Sequence, residues 1–184
     1  MPVFIDDLLS RVEKPARYTG GEMNATTKSF DDADVTFAFC FPDTYEVAMS
    51  HLGMKILYGI LNDLPYALCE RVCMPWTDMR RELKVAGRPL FSLESRHALN
   101  EFDIVGFTLQ YEMSYTNILN MLDLSGVPLL ARERKGLENI VFAGGVCAVN
   151  PEPLADFIDF FSFGEGEEIT KEILACYRQA KKDG

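Results

Sequence analysis

Apolar and polar positions fall along the chain in blocks that alternately predict strands and helices. Val35 to Phe41, VTFAFCF, is apolar on both faces, as a central parallel strand is when helices cover it on two sides. PDT then stops it. From Thr44 the spacing turns helical, with Val47, Leu52, Ile56, Leu57, Ile60 and Leu61 apolar, and the pattern ends at NDLP. His51 falls inside this predicted helix. ALCERVCMP, Ala67 to Pro75, reads as a second strand, and WTDMRRELKVAG as an amphipathic helix with Gly87 beyond its end. RPLFSLESRHALNEF is an irregular crossing with a short helix after Ser95. DIVGFTL, Asp103 to Leu109, is the third strand, followed by SYTNILNMLDLSG, whose Tyr115, Ile118, Leu119 and Leu122 share one helix face. NIVFAGG is the fourth strand, EPLADFI a short helix and DFFSFG the fifth strand. The last helix, EGEEITKEILACYRQAKK, starts acidic and ends basic, which suits the helix dipole at both ends.

Ahead of the first strand, FIDDLLSRVEK carries Phe4, Leu8, Leu9 and Val12 at helical spacing, and PARYTGGEMNATTKS is rich in turn formers. Residues 1–30 therefore form an N-terminal helical arm and residues 31–184 an α/β domain. Five strands alternating with helices specify a doubly wound parallel sheet, since each parallel connection needs a right-handed crossover. The expected order is the flavodoxin-like 2-1-3-4-5. In that order the connections leave the first and third strands in opposite directions, and a crevice opens beyond their carboxyl ends. FPDTYE, TLQYEMS and AGGVCAVNPEP border it. Gly144 and Gly145 then lie where a ligand can approach the backbone; the competing reading is a tight turn that binds nothing.

Composition narrows the function. Apolar residues make up 48% and charged residues 25% of 184, an ordinary globular balance that excludes disorder as the main state. A formal charge of -10 and the lack of a basic patch argue against direct nucleic-acid or anionic-lipid binding. No apolar run approaches the ~20 residues a membrane helix needs. The amino terminus lacks the features of a secretory signal, so the expected location is cytoplasmic. The five cysteines, Cys40, Cys69, Cys73, Cys147 and Cys176, give no disulfide framework.

Several chemistries are disfavoured residue by residue. The loop after the first strand offers Asp43 and Glu46 where a flavin phosphate loop needs Ser, Thr and Gly, and no GxGxxG follows that strand. TLQ and SFG stand where a receiver domain needs its phosphorylated Asp and its Lys. A zinc site built from His51 and His97 would need cysteines from distant elements. Asp43 and Glu46 serve more readily as helix caps than as an acid/base pair. In FGEGEE, Glu165, Glu167 and Glu168 would repel phosphate, which favours a charged cap or an interdomain contact. Cys69 and Cys73 have the first spacing of a CxxxCxxC cluster motif, but Trp76 occupies the third position.

FPDTYEVAMSHLGMKILY, PLFSLES, GFTLQYEMSYTNILNMLDL and AGGVCAVNPEPLADFIDFFSFGEGEE, taken together, resemble the amino-terminal, cobalamin-binding-like domain of an uncharacterised branch of radical S-adenosylmethionine proteins. The resemblance runs from about Arg17 to Cys176. It implies a ligand in the crevice, with Gly144 and Gly145 matching the glycine pair that cobalamin domains set against the corrin or its nucleotide tail, and Thr108 and Leu109 loosely matching the end of their third strand. The implied cofactor-binding positions are Asp43, Thr44, Tyr45, Glu46, Thr108, Leu109, Gln110, Tyr111, Gly144, Gly145, Val146, Gly164, Glu165 and Gly166. One departure matters: Asp43 is followed by Thr44 and Tyr45, so the histidine of the Asp-x-His-x-x-Gly motif that ligates cobalt is missing, and His51 is expected to face along its helix.

The resemblance also implies a partner, a C-terminal radical S-adenosylmethionine barrel carrying the iron-sulfur cluster, expected to begin where this chain ends. The leading expectation is a ligand-binding module, not catalytic alone, that presents a corrinoid or related cofactor to that barrel. The rival is a scaffold or interaction domain that keeps the fold and binds no cobalamin. A free-standing enzyme using Asp43, Tyr45 and Glu46 ranks last for want of a nucleophile or metal site.

Overall fold

A computed structural model describes residues 1–184. Five parallel strands, β1 (Val35–Phe41), β2 (Ala67–Cys73), β3 (Ile104–Thr108), β4 (Ile140–Gly144) and β5 (Phe160–Phe161), form one sheet in the order 2-1-3-4-5. This is the doubly wound, flavodoxin-like order that the alternation predicts. The helices are α1 (Asp6–Leu9), α2 (Tyr45–Ser50), α3 (Leu52–Asn62), α4 (Thr77–Ala86), α5 (Tyr115–Ser125) and α6 (Gly166–Asp183).

Strand side chains alternate between two cores. Ala38, Cys40, Val105, Phe107 and Val141 face a 28-residue cluster with Met79 and Leu83 of α4 and Ile118 and Leu122 of α5. Phe37, Phe39, Ile104 and Phe142 face a smaller cluster with Met54 and Leu61 of α3 and Leu174 of α6. The larger core also takes in the arm: Ile5 and Leu8 are fully buried there. The arm's helix is confined to four residues, not the eleven its spacing predicts. The chain before it is drawn to the crossing by Val3 N donating to Arg96 O, and the chain after it by Glu13 N donating to Asp78 Oδ2 at 2.8 Å.

The edge strand β2 would expose a row of unpaired backbone groups, a template for unwanted pairing. Side chains occupy them. Asn62 accepts from Cys69 N and donates to Cys69 O, Glu94 accepts from Arg71 N, and Lys28 donates to Ala67 O. The other edge strand, β5, is only two residues long. Before it, Asp159 turns its carboxylate to Val141 N at 2.7 Å and to the Arg134 guanidinium, and after it Ser162 N still donates to Ala143 O before the chain turns away at Gly164 (φ 95), so the strand is shorter than the predicted Asp159–Gly164.

The single helix expected after β1 is two helices broken at His51. His51 is extended (φ -82, ψ 114), and its Nδ1 accepts from Met54 N at 3.1 Å, so the imidazole caps α3. Gly53 makes room, because a Cβ there would lie 3.0 Å from the imidazole Cε1.

Candidate functional site

The carboxyl ends of β1, β3 and β4 open onto a cavity of ≈ 330 Å³ between the sheet and helices α3 and α6. Phe37, Phe39 and Phe142 form its sheet wall, and Met54, Leu57 and Leu61 its α3 wall. Gly106 lies between Phe37 and Phe142, and any side chain there would collide with the Phe37 ring. That absence lets the two rings approach to 5.8 Å between centroids, while Phe160 stacks on Phe142 at 5.2 Å. Polar groups gather near the strand ends: Thr108, Gln110, Ser162, Glu165, Glu167 and His51. An apolar, ring-lined slot with a few polar groups is the make-up of a small-molecule site.

The loops divide the predicted positions. Thr108, Gln110, Gly144, Gly145, Val146, Gly164, Glu165 and Gly166 line the cavity together. Asp43, Thr44, Tyr45, Glu46, Leu109 and Tyr111 do not. Leu109 is fully buried and contributes backbone: its N donates to Gly144 O at 2.7 Å and its O accepts from Cys147 N. Asp43 Oδ1 accepts from Thr44 N, and Asp43 Oδ2 accepts from Tyr111 OH at 3.3 Å, its charge raising the Tyr111 pKa. Tyr45 faces a second cavity beneath the arm, and burial, with Glu22 nearby, pushes its pKa up to about 12.

Glu46 belongs to the arm's anchorage. It accepts from Arg17 and Lys14 at 2.9 and 3.2 Å, and the Arg17 hydrogen bond foremost brings its pKa down to about 2. A depressed carboxyl contributes stability above its unfolded pKa and loses it as pH falls through the folded value. Glu46 is 46% exposed, so solvent screening keeps that contribution small. Arg17→Leu should return the Glu46 titration toward the ordinary carboxylate range, read by carbon-detected NMR, and scarcely move the melting temperature. An unchanged titration would remove Arg17 as the cause.

Two positions differ from expectation. His51 borders the cavity instead of facing along a helix. Because its Nδ1 accepts from Met54 N, the neutral ring carries its proton on Nε2 and is a donor at the mouth. Gly145 has a structural need beyond ligand access. Its φ is 110, and a Cβ would lie 2.8 Å from Leu109 O; at Gly144 a Cβ would lie 2.6 Å from Ser162 Oγ. The glycine pair is fitted to neighbouring protein first.

Cys69 lies within β2 and Cys73 ends it, four residues or about 13 Å apart along an extended strand, too far to share one iron-sulfur cluster. Cys69 is fully buried, and burial raises its thiol pKa. No helix is long and apolar enough to cross a membrane.

Residues 53–184 match the family described as "Radical SAM proteins, N-terminal". The chain belongs to this family. The match takes in the cavity's α3 and α6 walls and every strand except β1. An uncharacterized protein of Methanocaldococcus jannaschii is 29% identical over 142 residues, which cover 74% of this chain and 26% of that protein. The chain thus spans about a quarter of that relative's length. The family's description places such segments at the N-terminal end of radical S-adenosylmethionine proteins.

Proposed function

We propose that the chain is the ligand-binding module of a radical S-adenosylmethionine protein, and that its slot holds the heterocyclic tail of a corrinoid or related cofactor. The slot between sheet, α3 and α6 carries this reading. At ≈ 330 Å³ it is far smaller than a whole corrinoid, and it sits at the low end of the ~300–1,000 Å³ range of small-molecule sites. Its aromatic walls suit a flat ring system, which stacks favourably on aromatic faces. Phe37, Phe142 and Leu57 would hold such a tail, with Gln110, Ser162 and His51 the polar groups available at the mouth. A corrinoid would supply a redox-active cobalt centre; the module's own residues bind and orient it and keep water from the inserted ring.

Cobalt ligation by His51 through Nε2 would require the proton to move to Nδ1, and the Met54 N–H would then lose its acceptor. Added cobalamin should therefore shift toward the absorption of the form lacking a coordinated base, and His51→Ala should leave that spectrum unchanged. Leu57→Trp, which fills the slot from α3, should abolish the shift while the far-ultraviolet circular dichroism persists. A histidine-ligated cobalt signal lost in His51→Ala, or binding undisturbed by Leu57→Trp, would overturn the assignment. Absence of any cobalamin binding would favour the scaffold role.

A further inference from the structure

Exposed large apolar side chains are concentrated at one edge of the sheet. Each of the five segments leaving the carboxyl ends of the strands carries one: Leu52, Trp76, Met113, Val149 and Phe163 are 68%, 45%, 81%, 76% and 58% exposed. The segments that feed the strands at the opposite edge, residues 31–34, 62–66, 99–103 and 126–139, carry none. Charge divides the same way. Residues 42–53, 74–78, 109–115, 145–153 and 162–168 hold a carboxylate in every segment and neither lysine nor arginine in any. Lys14 and Arg17 of the arm reach this edge at Glu46 and Trp76, and Lys171 pairs with Glu168; Asp43, Glu112, Glu152, Glu165 and Glu167 have no such basic partner, so the edge stays acidic. Soluble domains seldom expose apolar side chains in such a group unless something covers them.

We propose that this acidic, apolar edge is the docking surface for the radical S-adenosylmethionine domain of the same polypeptide. The partner face is then apolar at its centre and edged with lysine and arginine. This rests on the module reading above. The occupant follows from two observations. The matched relative is about four times as long as the segment this chain covers, so most of such a protein lies outside the fold described and needs a place to pack. A second copy would set one acidic edge against another, and nucleic acid would meet the same repulsion. The slot opens within this edge, so the docked domain would close over its mouth and share the ligand.

Hydrogen exchange with mass spectrometry, comparing the full-length parent protein with the 184-residue chain, tests the proposal. Amides in residues 42–53, 109–115, 145–153 and 162–168 should exchange about tenfold or more slowly in the parent, with residues 62–66 and 126–139 unchanged. Glu112→Lys with Glu152→Lys, both exposed and away from the slot, should remove much of that protection; the paired Gln variants should remove less. Equal exchange in the two proteins, or protection confined to the opposite edge, would overturn it. So would a dimer of the isolated chain by sedimentation with these same segments protected, since a second copy would then be the occupant. Protection without any cobalamin binding would sustain the docking surface and sink the cofactor reading, which keeps the two failures apart.

Discussion

Gly145→Val is expected to destabilise the fold by about 2–4 kcal/mol, from a strained left-handed backbone and a forced overlap. The strain arises because φ is 110, where a β-branched residue is disfavoured. The overlap arises because the new Cβ would lie 2.8 Å from Leu109 O, an oxygen already held by Cys147 N. Neither chain can yield without opening the contact between the β3 and β4 loops. For a domain of this size the loss corresponds to a melting temperature lower by roughly 4–16 °C. Gly164→Ala is the control: its φ is 95, but nothing lies within 4 Å of the added carbon, so only the backbone strain of roughly 1 kcal/mol applies. A Gly145→Val protein that melts with the wild type would show that this glycine serves ligand access alone.

Arg71→Met should cost about 3–5 kcal/mol, the usual effect of stranding a buried charge's partners. Arg71 is 9% exposed, donates to Glu94 at 2.6 Å and to Glu22 at 2.9 Å, and lies 4.6 Å over the Tyr58 ring. Removing the guanidinium leaves two carboxylates in a dry place. Burial already raises the Glu94 pKa, and Arg71 opposes that rise. A carboxyl raised above its unfolded value gives stability fully present below the unfolded pKa and lost as pH rises through the folded one. Without Arg71 the rise is larger, so the variant should lose more stability than the wild type between pH 5 and pH 8. Urea unfolding at the two values measures it. An equal pH dependence in both proteins would mean that Glu94 is not carrying the charge assigned to it. Arg71→Met with Glu94→Gln should recover part of the loss.

The sheet was legible because its strands are apolar on both faces and lie between helical blocks; that pattern permits few connections other than parallel crossovers. Val35–Phe41 and the start of β2 at Ala67 follow directly from it. Elements whose form depends on one distant partner were not legible. The arm's helix stops after Leu9, where Asp78 and Arg96 capture its flanks, and β5 ends at Phe161, ahead of the turn at Gly164. His51 had a local signal that helical spacing concealed: an acceptor followed two residues later by glycine can fold back and cap a new helix, as His51 and Gly53 do. That residues of the loops after β3 and β4 border a cavity was legible in the strand order. Its aromatic depth was not, since Phe37 and Phe142 read only as core until Gly106 set them side by side. The Arg71–Glu94–Glu22 network joins residues 22, 71 and 94, a separation no short motif records.

The central claim is that the slot accepts the heterocyclic tail of a corrinoid, and a paired absorption titration tests it most directly. The chain is titrated in parallel with cobalamin and with cobinamide, which has the same macrocycle without the nucleotide tail. A tail seated between Phe37, Phe142 and Leu57 predicts saturable binding of cobalamin, at least about tenfold tighter than cobinamide, with the discrimination lost in Leu57→Trp. Equal affinity for the two corrinoids, or discrimination that survives Leu57→Trp, would contradict it.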